Sequence, residues 1–105
     1  MTDRPAVDVV VPFAGSDRAL DEVLARLAAL RRGPGDTVVV ADNRPRARRR
    51  EAPGALVLPA GDRRGSYHAR NAGAAHGSAP WLLFLDGDVE PPPDLLDRLF
   101  EPAPR

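Results

Sequence analysis

The chain has 105 residues, 43% hydrophobic and 29% charged, which gives room for one compact domain rather than two and excludes wholesale disorder. Fifteen basic residues balance fifteen acidic ones for a net charge of +0, so no overall field draws the chain to nucleic acid or an anionic membrane. There is no cysteine and every basic residue is arginine, which excludes disulfides, thiolate metal sites, lysine phosphate loops and Schiff-base chemistry.

Met1-Thr2-Asp3-Arg4-Pro5 lacks the basic start and apolar stretch of a signal peptide, and no apolar run approaches the ~20 residues that span a bilayer. A cytoplasmic chain without a transmembrane segment is expected. Val7-Asp8-Val9-Val10-Val11-Pro12 is rich in β-branched residues and stopped by proline, the pattern of a strand buried on both faces. Ser16 or Asp17 then caps a helix running to about Arg31. Its Leu20, Val23, Leu24, Leu27 and Leu30 recur at helical spacing, and Gly33-Pro34-Gly35 ends it.

Thr37-Val38-Val39-Val40-Ala41 predicts a second buried strand with Asp42 at its carboxyl end, and strand, helix and strand joined by short connections make a parallel crossover unit. Residues 43–54 turn to Arg, Pro and Ala without apolar periodicity and predict an exposed loop. Leu56-Val57-Leu58-Pro59 predicts a short third strand, and Ser66 caps a small-residue helix through Ala75. Trp81-Leu82-Leu83-Phe84-Leu85 has the strongest strand pattern in the chain and predicts a buried strand with Trp81 in the core. It ends in Asp86-Gly87-Asp88. After Pro91-Pro92-Pro93, a last helix starts near Asp94. Alternating strands and helices predict an α/β domain, a Rossmann-like, mostly parallel sheet with flanking helices, spanning residues 1–105. In such a sheet ligands bind outside the carboxyl ends of the strands, where Asp42 and Asp86 both fall.

Two carboxylates one residue apart, with glycine between them, can both approach one cation, because glycine relaxes the backbone and adds no bulk. With only oxygen and imidazole ligands to offer, the chain suits a hard cation, Mg²⁺ or Mn²⁺. Such an ion neutralises the charge that grows on a leaving diphosphate. Asp-Gly-Asp is also common in turns and calcium loops, but here it follows an apolar strand and precedes Val89 and a proline-started helix.

Four blocks together resemble the family 2 glycosyltransferases of the GT-A fold: Val9-Val10-Val11-Pro12, Val40-Ala41-Asp42-Asn43, Ala69-Arg70-Asn71-Ala72-Gly73, and Trp81 to Asp88 followed by Val89-Glu90-Pro91. The resemblance implies transfer of a sugar from a nucleotide-diphosphate sugar, most commonly a UDP-sugar, to an unknown acceptor. It places the end of the first strand at Pro12, with Asp42 and Asn43, at the nucleoside. It puts Arg70 by the base or diphosphate, Asp86 at the ribose or metal, and Asp88 as the main metal ligand, with Asn71 in the nucleotide-sugar site ordering that corner. Phe13-Ala14-Gly15 and Arg44-Pro45 depart from the family's usual residues at those places. In the family a second half carries the acceptor surface and the general base. No catalytic base is identified in this chain, so a missing C-terminal half, a partner chain, or a non-catalytic nucleotide-sugar-binding module is the alternative expectation.

The run Arg44-Pro45-Arg46-Ala47-Arg48-Arg49-Arg50 has no interleaved aromatics and belongs to no nucleic-acid fold, so a solvated loop is expected and no nucleic acid partner. His68 and His76 stand too far apart for a joint metal site.

Overall fold

The computed structural model describes residues 4–101, so the expectations for the first residues and for the end of the domain lie outside it. Eight elements follow one another: β1 (Val7–Phe13), α1 (Asp17–Ala28), β2 (Thr37–Asp42), β3 (Arg50–Ala52), β4 (Ala55–Pro59), α2 (Ser66–His76), β5 (Trp81–Phe84) and α3 (Leu95–Arg98). The five strands form one sheet in the order β3-β4-β2-β1-β5, parallel throughout except for the antiparallel pair β3 and β4. This is the mostly parallel, Rossmann-like α/β architecture that the alternating pattern predicts.

Strand β1 shows why the sheet has helices on both faces. Its side chains alternate across the sheet. Val7, Val9, Val11 and Phe13 join Leu20, Val23, Leu24 and Leu27 of α1 and Leu96 of α3 in the main core. On the opposite face Val10 meets Gly73 of α2, where an added Cβ would collide with the valine side chain. A smaller cluster of Ala41, Ala60 and Ala69 continues that second layer. Small residues on α2 let it lie close to the strands, whereas α1 reaches them through leucines.

At the amino-terminal edge of the sheet the buried polar groups are paired. Asp8 accepts hydrogen bonds from the Thr37 hydroxyl and the Ala79 amide. Asp36 accepts from the Arg4 guanidinium and from the Gly33 and Val7 amides, and Arg4 also binds Asp97 before α3 ends. This ties the first strand, the α1–β2 connection and α3 together.

Helix α1 stops at Ala28 rather than near Arg31, although Leu30 still packs in the core. The loop predicted over residues 43–54 is shorter. Arg50–Ala52 pairs with β4 through a turn in which Gly54 has φ 84°, a left-handed conformation that favours glycine. The prediction of a buried strand at Trp81 is corrected. Among the described residues strand β5 has β1 as its only neighbour and lies at the sheet edge, with Trp81 54% exposed and Leu82 and Phe84 also exposed. Trp81 instead meets the ring of Phe100 edge-on, centroids 5.6 Å apart. No helix among the described residues is long and apolar enough to cross a membrane.

Candidate functional site

Because β1, β2, β4 and β5 run parallel, their carboxyl ends fall along one edge of the sheet. Strand β1 delivers Pro12 and Phe13 there, followed by Ala14, Gly15 and Ser16, whose hydroxyl caps α1 by accepting from the Ala19 amide at 3.1 Å. Strand β5 is prolonged by the Leu85 amide, which donates to the Val10 carbonyl at 3.0 Å, and the chain then turns at Asp86, with the Val89 amide on the Asp86 carbonyl at 3.1 Å. That turn brings Asp86-Gly87-Asp88 beside the end of β1.

Two clefts open on this edge and share the wall Pro12-Phe13-Ala14. The larger, about 560 Å³, runs toward α1 and is lined further by Gly15, Glu22, Arg26, Asp86, Gly87 and Asp88. The smaller, about 200 Å³, runs toward α2 past Asn43, Ser66, Ala69 and Arg70 to Asp86. Asp86 borders both. The Asp86 and Asp88 side chains are exposed, and among the described residues neither carboxylate has a hydrogen bond or an ion pair. The edge thus presents two adjacent uncommitted negative charges, with Arg70 across the smaller cleft. The Arg70 guanidinium stands 6.0 Å from the centre of the Phe84 ring.

The other expected contacts are placed differently. Asp42 is 1% exposed and lines neither cleft. Its carboxylate is taken by Arg44, which donates from its amide at 3.1 Å, from Nε at 2.9 and 3.2 Å, and from Nη2 at 2.8 Å. Arg44 also reaches Asp17 at 2.7 Å and lies over the Phe13 ring at 5.3 Å. Hydrogen bonds from Asp42 first, then Asp17, raise the guanidinium pKa further above its ordinary value. Asn43 borders the smaller cleft, but its amide donates to the Ala60 and Arg63 carbonyls and its oxygen accepts from the Gly65 amide. It holds the start of α2 against the end of β2, where Gly65 has φ 130°. Asn71 is exposed on α2 and lines neither cleft.

The structure therefore brings together Pro12, Asn43, Arg70, Asp86 and Asp88, and sets Asp42 and Asn71 apart. It adds Phe13, Ala14, Ser66, Glu22 and Arg26. Phe13 and Ala14 follow directly from being at the end of a parallel strand. Glu22 and Arg26 carried a weaker signal, as the polar residues one turn apart between the leucines of α1. Glu22 faces Arg18 at 3.5 Å. His68 pairs with Asp62, and that hydrogen bond holds the Asp62 carboxyl below its ordinary range. The pair lies outside both clefts.

A divalent cation can be tested against these donors. Among the described residues no three or more His, Asp or Glu side chains gather as a metal cluster. Two free carboxylates flanking a glycine nevertheless fit an ion such as Mg²⁺, which retains several waters and takes its remaining ligands from phosphate oxygens.

Residues 8–105 match the family described as Glycosyl transferase family 2. No curated protein and no solved structure gives a match.

Proposed function

Since the chain belongs to glycosyl transferase family 2, we propose that the carboxyl edge of its sheet binds the diphosphate of a nucleotide sugar, most simply a UDP-sugar, for transfer to an acceptor. One observation carries this reading: Asp86, bordering both clefts, and Asp88 offer exposed carboxylates with no protein partner among the described residues. Everywhere along the opposite edge the buried carboxylates are paired.

Asp86 and Asp88 would hold Mg²⁺ or Mn²⁺, and the bound ion would offset the charge of the leaving diphosphate. Pro12, Phe13 and Ala14 form a shared wall without charged side chains. Ser66 and Arg70 face the smaller cleft with a hydroxyl and a guanidinium, groups suited to phosphate or ribose oxygens. Asp42 and Asn43 support the site by fixing Arg44 and the start of α2. This division of roles places the nucleoside against β1 and α2, and leaves the larger cleft beside Asp88 for the sugar.

The direct test is calorimetric titration with UDP, with and without Mn²⁺. The expected outcome is metal-dependent binding by the wild-type chain and its loss in a folded Asp88→Ala variant. Binding that is unchanged by that substitution removes the assignment.

Transfer also needs a base to accept the acceptor's proton. Of the carboxylates lining the clefts among the described residues, only Glu22 stands outside the Asp-Gly-Asp corner, and it faces Arg18. That observation favours a second reading, a module that binds the donor without turning it over. Hydrolysis of UDP-glucose or UDP-GlcNAc by the purified chain would overturn this second reading.

A further inference from the structure

Arg26 projects from α1 into the floor of the larger cleft, and its Nη2 donates to the carbonyl of Gly87. Gly87 is the residue between the two aspartates, so the contact falls on the backbone that sets where both carboxylates point. The arginine also borders the narrow apolar crevice beneath the corner, among Val11, Val23, Leu27, Leu85 and Val89. There its Nε is buried without a hydrogen-bond partner. A buried unpaired donor is costly, and one that persists calls for a compensating role. Arg26 has no ion pair among the described residues. Its contact is therefore with the carbonyl, and both carboxylates stay free.

We infer that Arg26 is the positioning residue of the Asp-Gly-Asp corner: by holding the Gly87 carbonyl from α1, it fixes the turn that presents Asp86 and Asp88 together to a divalent cation. The cation half of this rests on the function proposed above, whereas the hold on the turn does not. Helix α1 thereby becomes part of the site although it adds no ligand of its own. The corner sits on the exposed edge strand, where few other contacts restrain it, and a cation on a helix of the main core supplies that restraint.

The test separates the two halves. Amide hydrogen exchange is followed in wild type, Arg26→Met and Arg26→Lys without metal, and Mn²⁺ affinity is then measured by calorimetry. Arg26→Met, which keeps the stem but has no donor, is expected to exchange roughly tenfold faster at Val89, whose amide donates to the Asp86 carbonyl across the turn, with β1 and β2 unchanged, because one charge-assisted hydrogen bond is lost. Its Mn²⁺ affinity should fall by a similar factor, and Arg26→Lys, which retains a charged donor, should recover part of both. Unchanged exchange in the folded methionine variant overturns the hold on the turn. Faster exchange with unchanged Mn²⁺ affinity overturns the positioning role. If the methionine variant does not fold, Arg26→Gln, which keeps a shorter donor without the charge, is judged by the same two readings. A wild-type chain that fails to bind Mn²⁺ overturns the metal assignment, while the exchange data still decide whether Arg26 holds Gly87.

Discussion

Replacing Arg44 with alanine should be one of the most damaging substitutions outside the apolar core. The Asp42 side chain is 1% exposed and the Arg44 side chain 25%, so the variant would leave a buried carboxylate with a single remaining donor, the amide of residue 44. Removing one partner of a fully buried pair costs ~3–5 kcal/mol. The guanidinium here is partly exposed, and water entering its place would solvate one side of Asp42, so a loss of about 2 kcal/mol is expected after that discount. For a domain of this size that corresponds to a melting temperature lower by roughly 8–16 °C. The ion pair with Asp17, itself 95% exposed, contributes little, and Asp17→Ala should stay within ~0.5 kcal/mol of wild type. The decisive assay is thermal or urea unfolding of the double variant Asp42→Asn with Arg44→Ala. Neutralising the stranded charge should restore at least ~1 kcal/mol relative to Arg44→Ala alone. If Arg44→Ala is within ~0.5 kcal/mol of wild type, or the double variant is no better than the single, Asp42 does not depend on Arg44 and the reasoning fails.

Three further outcomes are expected. Asp36 is desolvated by burial, which pushes its pKa up, but hydrogen bonds from Arg4, Gly33 and Val7 and the charge of Arg4 outweigh that and hold it below its ordinary 3.8. A depressed folded pKa contributes stability that is complete above 3.8 and is lost as pH falls through the lower folded value. Urea unfolding from pH 6 down to pH 2 should show this decline, and it should be shallower in Asp36→Asn, which is less stable at pH 6 because Arg4 loses its buried partner. Gly73→Ala would drive a methyl into Val10; the overpacking cost of ~1–3 kcal/mol exceeds the gain of up to ~1 kcal/mol in helix propensity, so circular dichroism melts should show a net loss. Arg70→Ala should weaken UDP binding about tenfold, the loss of one charge-assisted contact, with little change in the melting temperature, since the side chain's one described partner is the face of Phe84.

The strands that were plain in the sequence are those whose neighbours on both sides make the apolar pattern obligatory. Val7 to Val11 and Val38 to Ala41 are buried on both faces, and a polar residue there would need a partner, as Asp8 has. The same reasoning misplaced Trp81 to Phe84, because an unbroken apolar run carries no information about how many neighbouring strands it has. Strand β3 was missed because Arg50-Glu51-Ala52 has no apolar alternation, and its pairing rests on backbone hydrogen bonds and the Gly54 turn. At the candidate site, Pro12, Asp86 and Asp88 were legible as strand ends in a parallel sheet. The commitments of Asp42 and Asn43 were not. One is settled by the side chain of Arg44 folding back over two residues, the other by carbonyls 17 and 20 residues further along. Neither leaves a periodic trace.

The half-exposed edge strand also has a practical consequence. Trp81 is the only tryptophan in the chain, and it stands on β5, against Phe100, with about half its surface in water. The intrinsic fluorescence of the protein therefore reports on that one flank. Red-shifted emission and ready quenching by acrylamide signal an open flank. A blue shift on concentration, or on adding another polypeptide, signals that something has been laid along the strand.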